Sequence, residues 1–493
     1  MGPFFFQDGA GTGRCCRTFL GLFAAFLTSA HARAQTTASP LTRNNFNLEV
    51  SQGPITTASR IVGLAGAYTA MAEWCEGEYS NAASPAVRAP YSLSSFDYDV
   101  CLGLMAPGAF GGVDFENRGA AYPNDPGGSR FNNSIGTNLG LQLQFGHFGV
   151  TVDYDGMTQG VESVSLGTLA RTSSYSFRID RVTASAGWAL FDGQFVLGAG
   201  TRVLLNGINA SSTAVGAGFQ VGAIFRPNLA PYRIALAYRD PVRIPNVTGN
   251  PEEQRADGTQ VANGAVLPAT MVVPLELEAG IALDFGPHQL NPEWIDPDRI
   301  EEPRRLQVSQ ARLARTVAAE ERIARAPEGQ RELLRWRLAA EESSRVEQEE
   351  LQTARERATT AAALKQRSQF WPRKGITLLA SVLVTGSTPN AVSISGFLLQ
   401  KREPYGGFVT VSPRVGFETE AIPHWVTVRG GTYLEPSRYE GGRARAHLTG
   451  GVDIATVRFT AWGLFADNPW RLRLALDVAP RYSNFAIAIG QYH

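Results

Sequence analysis

Segment after segment of this chain sets apolar side chains at every second position, with polar or very small residues between them. Leu139, Leu141, Leu143 and Phe145 alternate with Asn138, Gln142 and Gln144, and Phe148, Val150, Val152 and Tyr154 alternate with Thr151, Asp153 and Asp155. Further on, Tyr232, Ile234, Leu236 and Tyr238 oppose Arg233 and Arg239. Leu275, Leu277, Ile281, Leu283 and Phe285 oppose Glu276, Glu278 and Asp284, and Leu472, Leu474, Leu476 and Val478 oppose Arg471, Arg473 and Asp477. A period of two is the mark of a strand with unlike faces. Repeated in segments of about ten residues between turns, it predicts an all-β transmembrane antiparallel barrel, apolar outside and polar in the lumen. A soluble sandwich also alternates. Here the apolar face carries large aliphatic and aromatic residues along nearly every strand, with Tyr, Phe and Trp near strand ends where interfacial girdles form.

Loop lengths give a direction. Outer-membrane barrels have short periplasmic turns and long external loops. A long connection is expected over about 107–134, then a tight turn at Gly146-His147, a longer loop near 159–172, a tight turn at Phe191-Asp192-Gly193, a short link over 227–231 and a long loop over 241–270. Strand counting on this rule gives about fourteen, uncertain by two because 443–466 reads as one strand or as a hairpin. The barrel thus divides into a first part over 91–286 and a second over 374–493.

Between them the pattern changes. Over 298–370 Glu, Arg, Gln and Ala dominate, and Pro327-Glu328-Gly329 interrupts the run. These strong helix formers predict a charged helical hairpin, with helices over about 303–326 and 330–368. Leu306, Leu313 and Val317, with Leu334, Leu338 and Leu351, are read as a thin antiparallel seam. By strand parity the insert leaves on the periplasmic side. It is either a solvated spacer or a contact for a periplasmic partner.

At the N-terminus Arg14 and Arg17 precede the apolar run Phe19–Leu27, and Ala32-Arg33-Ala34 precedes Gln35. This is the pattern of a secretory signal over 1–34, cleaved after Ala34, and its apolar run is too short to span a bilayer. Cys15 and Cys16 lack a lipidation context, and Gly9–Gly13 lies outside any strand-turn-helix unit, so it is no phosphate loop. Charge is balanced at 45 basic and 45 acidic residues, which gives no footprint for nucleic acid. The 51 glycines are unusual for a soluble α/β enzyme of 493 residues.

The stretch Arg60-Ile61-Val62-Gly63-Leu64-Ala65-Gly66-Ala67-Tyr68-Thr69-Ala70-Met71-Ala72-Glu73, followed by Asn81-Ala82-Ala83-Ser84-Pro85-Ala86, resembles the N-terminal signature of FadL/TodX-type outer-membrane transport proteins. The chain departs from that signature at Ala65, where glycine is usual, and at Ala82, where proline is usual. The resemblance covers about residues 58–90. It implies a barrel of about fourteen strands whose N-terminal segment, over 35–90, folds back as a plug, and passage of hydrophobic small molecules, fatty-acid-like or aromatic. Gly63, Gly66, Ala67, Tyr68 and Asn81 are the plug-motif residues it marks. Small residues there let backbone pack closely in a confined lumen.

Asp97, Asp99, Asp153, Glu276 and Glu278 are expected to face the lumen as its polar lining. The histidines at 31, 147, 288, 424, 447 and 493 show no metal-ligand spacing, and no catalytic motif occurs, so neither enzyme activity, metal nor cofactor is expected. The mature chain keeps Cys75, in the plug region, and Cys101, in phase with Asp97 and Asp99. They read as a disulfide tethering plug to wall or as two free thiols. The expected partners are outer-membrane lipid and a hydrophobic small-molecule ligand, with a periplasmic protein at residues 303–368 under the rival reading of a non-transporting scaffold.

Overall fold

The structure, a computed structural model, describes residues 39–491 apart from 51–52, 90–91, 93–94, 111–113, 120–129, 166–170, 209–211, 246, 248–253, 263, 288, 370–373 and 457–469. The leader expected over 1–34 and the terminal Tyr492-His493 lie outside the described residues.

Fourteen antiparallel strands close into a barrel. In chain order they are β1 (Phe96–Pro107), β2 (Arg130–Phe145), β3 (Phe148–Ser165), β4 (Arg171–Leu190), β5 (Phe195–Ile208), β6 (Ser212–Phe225) and β7 (Tyr232–Arg239). There follow β8 (Glu276–Phe285), β9 (Ile376–Thr385), β10 (Thr410–Ile422), β11 (Val426–Glu435), β12 (Arg445–Ala455), β13 (Trp470–Ala479) and β14 (Tyr482–Gln491). Each strand pairs with the next, and β14 returns to β1 with Gln491 opposite Val100. Closure leaves no unpaired edge, which is what a sheet in hydrocarbon requires. Along β8, Leu277, Ile281, Leu283 and Phe285 are exposed while Glu278 and Asp284 are buried, so the alternation resolves into an outer apolar belt and an inner polar wall. Among the described residues no helix is long and apolar enough to cross a membrane.

One expectation about a connection is corrected. Residues 159–165 and 171–172 belong to β3 and β4, which pair through Ser165 and Arg171, so the expected loop shrinks to 166–170. In the region read as one strand or a hairpin, residues 445–455 form one strand, β12, and 457–466 lie outside the described residues. The short connections 146–147, 191–194, 226–231 and 423–425 share one end of the barrel, and the long connections 108–129, 240–275 and 386–409 share the other.

The helical insert leaves from the short-turn end. It comprises α1 (Pro297–Arg325), beginning six residues before the expected start, and α2 (Arg331–Gln369). Leu334 and Leu338 are half-buried between the helices, but Leu306, Leu313, Val317 and Leu351 are exposed and do not form the seam. Arg312 and Arg315 of α1 instead meet Glu342 and Glu349 of α2, with Nε–carboxylate distances of 2.8 and 2.9 Å for the Arg312–Glu349 and Arg315–Glu342 pairs. A 3.6-residue helix drifts about 20° per heptad against a strict seam, so sparse leucines spaced roughly by sevens rotate out of it.

The N-terminal segment runs through the lumen. Ser39–Pro40 pairs with Lys401–Arg402 in a long connection, and Asn47–Glu49 joins a four-stranded sheet with Val242–Pro245, Thr270–Val273 and Ala391–Val392. The chain then fills the barrel, through a short helix at Ser59–Gly63 and turns at Trp74–Gly77 and Ser84–Ala86, before β1 starts at the short-turn end. Two apolar cores follow. One seats the plug, with Leu64, Tyr68 and Met71 against the wall, and the other caps the long-connection end, with Phe46, Leu48, Phe177, Ile244, Leu267 and Phe397.

Candidate functional site

The plug is held by backbone proximity on one side and by charge on the other. On the first side, segment 81–86 lies against glycines of four adjacent strands. A Cβ at Gly149, Gly198 or Gly222 would stand about 2 Å from Pro85 O, Ala82 O or Asn81 Oδ1, at 1.8, 2.0 and 1.8 Å. Only residues without side chains admit so close an approach. Asn81 fixes this seat: its Nδ2 donates to Thr69 O, Ala223 O and Leu236 O at 3.3–3.4 Å, and its Oδ1 accepts from Ala83 N at 3.0 Å.

Around the signature, Gly63 O accepts from Thr449 Oγ1 at 3.1 Å, and a Cβ on Gly63 would come within 3.3 Å of Gly451 Cα. Ala67 is buried, and Gly66 turns the chain at φ 74°. Ala65, at the position where the resembled signature has glycine, also has a left-handed φ of 55°. An L residue there costs on the order of 1–2 kcal/mol. Its methyl is accommodated because the facing wall residue is Gly431. The Tyr68 hydroxyl accepts from Arg60 Nη1 at 2.7 Å and donates to Glu73 O at 3.1 Å.

On the opposite side a continuous chain of buried charges joins plug to wall. Arg60 Nη2 meets Glu418 at 2.8 Å, Glu418 also meets Arg429, Arg429 Nη2 meets Asp453 at 2.7 Å, and Asp453 meets Arg473 Nε at 2.9 Å. Arg473 then reaches Glu76 of the plug, and Arg233 of β7 reaches Glu73. Cys75 and Cys101 form a disulfide with Cα atoms 6.3 Å apart, adding a covalent link between plug and β1. Asp97, Asp99, Asp153 and Glu278 are buried on the inner wall, and Glu276 is partly exposed to the lumen. Asp97 pairs with Arg88 at 2.9 Å and Asp99 accepts from Gln142 at 3.1 Å. Asp153 accepts from Thr151 at 3.0 Å.

Glu276 and Glu278 belong to a cavity of about 210 Å³ between plug and long-connection end. Its apolar lining includes Ile55, Ile61, Met157, Ile179, Leu204 and Leu383. Five arginines, Arg181, Arg202, Arg239, Arg414 and Arg438, stand among four carboxylates, Glu78, Asp155, Glu276 and Glu278. Arg239 meets Glu276 at 3.3 Å and Glu278 at 3.4 Å, and Arg414 meets Glu278 at 3.3 Å. The buried Nε atoms of Arg181, Arg202 and Arg414 have no hydrogen-bond partner. Sequence reading singled out Arg233, Arg239 and Arg473 only as inward-facing residues and missed the cluster. Parity gives each arginine its face, but only the closed barrel brings β4, β5, β7 and β10 around one space.

Above the cavity the cap is latched by polar groups. Arg438 Nη2 donates to Glu49 at 2.9 Å, and Glu116 accepts from Ile394 N at 2.7 Å and Tyr439 Oη at 3.0 Å. Burial raises the Glu116 carboxyl above its ordinary value, against the lowering effect of these donors. Among the described residues no group of three or more His, Cys, Asp or Glu side chains is placed to hold a metal.

No protein-family model and no curated protein matches the chain. Solved structures are similar to it at low identity. The P. putida toluene transporter TodX is 9% identical, with 90% of this chain and 100% of that one covered and a TM-score of 0.43. The CymD monoaromatic hydrocarbon channel is 9% identical over 89% and 98%, at 0.44. A Pseudomonas aeruginosa FadL homologue is 12% identical over 91% and 97%, at 0.43. Closure of fourteen antiparallel strands, an apolar outer belt and a filled polar lumen make this chain an outer-membrane β-barrel protein.

Proposed function

We propose that the barrel admits hydrophobic small molecules that carry an anionic end. The observation behind this reading is the cavity between cap and plug, where aliphatic side chains and five arginines against four carboxylates line one space. A carboxylate that meets a guanidinium of this cationic lining makes a charge-assisted bond of about 1.5–3 kcal/mol. The hydrocarbon part meets Met157, Ile179 and Leu204. Passive uptake is the mode this reading takes.

The test is accumulation of a radiolabelled long-chain carboxylate, against its matched alcohol, in cells carrying this barrel as the sole added channel. The wild type is expected to raise uptake of both, and Arg202→Met with Arg414→Met to lower carboxylate uptake about tenfold while sparing the alcohol, as a loss of about 1.4 kcal/mol implies. Uptake equal to that of cells without the barrel would sink the reading.

The short-turn end is inferred to face the periplasm, which puts the hairpin there. A cysteine replacing Gly329, which lies between α1 and α2, is expected to react with an impermeant maleimide only after the outer membrane is opened. Labelling of intact cells would invert the orientation and leave the uptake proposal standing.

A further inference from the structure

The outer wall carries a groove of about 520 Å³ across β3 to β7. Its walls are Trp188, Leu197, Val221 and Leu236, all exposed on the apolar belt, Trp188 at 56%. Its floor is made of Ala186, Ala199 and Ala223, which offer only methyl groups, and of the backbone of Gly187, Gly198 and Gly222. Those glycines have no side chain to fill the inner face, and the plug lies directly behind them: a Cβ on Gly187 would be 3.0 Å from Ala86 Cβ. The wall is therefore one backbone thick here, drawn in against segment 81–86, and the groove is the outer side of that close approach.

We propose that this groove binds one acyl chain of a membrane phospholipid. Its place in the outer belt of a barrel sets the surroundings as hydrocarbon. On no strand is its lining more than three residues deep, about 7 Å at roughly 3.3 Å per residue, the width of a single chain. Its twelve lining residues fall short of the roughly 20–30 a side that a specific protein interface uses. Its position sets the leaflet: Phe148 opens β3, and Trp188 and Leu197 flank the 191–194 turn, so the groove reaches the short-turn rim. Aromatic residues collect at that depth in membrane barrels. At the same rim Arg299, in the first turn of α1, stands 3.3 Å from Asp192 with both side chains exposed, a cation at headgroup level. A chain held in the groove backs the wall where the plug leans on it.

Native mass spectrometry of the full-length protein, purified in mild detergent, tests this independently of transport. The wild type is expected to retain one phospholipid. Ala199→Phe, which fills the floor, should cut retention at least tenfold, while Ala446→Phe, on the exposed face of β12, should leave it unchanged. Heat-modifiable electrophoretic migration checks that each variant is folded. The proposal fails if folded wild type retains no phospholipid, or if Ala199→Phe retains as much. A free carboxylate or hydrocarbon as the retained species would also overturn it, as would a second copy of the chain released by Ala199→Phe.

Discussion

Replacing Arg473 by alanine is expected to destabilise the plugged barrel by about 3–5 kcal/mol, the range for truncating one partner of a buried ion pair. Arg473 is fully buried, with Nε on Asp453 at 2.9 Å, a second contact to Glu76 and its guanidinium 5.2 Å from the Trp74 ring. Asp453 keeps Arg429 after the truncation, but among the partners in this chain of charges Arg473 is the one that reaches Glu76. The buried Glu76 carboxylate would then lose the guanidinium it meets, and the desolvation of that charge is no longer offset by this pair. The measurement is the temperature at which the folded band converts to the unfolded one on electrophoresis. Pairing Arg473→Met with Glu76→Gln should recover much of the loss, because removing both charges leaves nothing uncompensated. An alanine variant that converts at the wild-type temperature would show that the charge chain is not what holds the plug.

The strands and their faces were legible in the sequence because each depends only on neighbours two residues away. Leu139 out and Asn138 in follows from parity, and so does Cys101 in with Asp97 and Asp99. The pairings inside the lumen were not legible, because they join residues far apart. Arg60 and Glu418 are 358 positions apart, and Glu49 and Arg438 are 389 apart. Parity told that Glu276, Glu278 and Arg239 face inward, but which arginine meets which carboxylate depends on how the plug threads between them. Connection lengths were less reliable, since polar segments such as 159–165 continue a strand beyond the apolar belt and look like loop. The hairpin seam failed for a different reason: the half-buried stripe runs through Val308, Ile323, Leu334, Leu338 and Val346 with Arg312, Arg315, Glu342 and Glu349 among them, so the leucines alone do not mark it.

Gly198→Val is expected to unseat the plug and turn a closed barrel into a conducting one. Gly198 lies on β5 where the plug backbone is nearest: a Cβ there would stand 2.0 Å from Ala82 O, 2.4 Å from Ala82 C and 2.5 Å from Ala83 Cα. All three are backbone atoms, so no rotamer change relieves the overlap, and either β5 or segment 81–86 must move. β5 is hydrogen-bonded along its full length to β4 and β6, with fourteen paired positions on each side. The plug segment has no such ladder, and its seat there rests on Asn81, on Gln144 Nε2 donating to Pro85 O and Val87 O at 2.9 and 3.1 Å, and on close packing. The segment therefore yields. The charge chain and the Cys75–Cys101 disulfide, upstream of residue 81, keep the rest of the plug attached, so the outcome is a partial opening at the short-turn end and not loss of the plug. Planar-bilayer recording should show wild-type protein nearly silent and Gly198→Val with steady ion conductance. Gly450→Val is the matched control, since the nearest atom to a Cβ there is Arg429 O at 3.9 Å. Equal silence of folded Gly198→Val and wild type would mean that β5 bends outward instead, and that the wall is softer than the plug it surrounds.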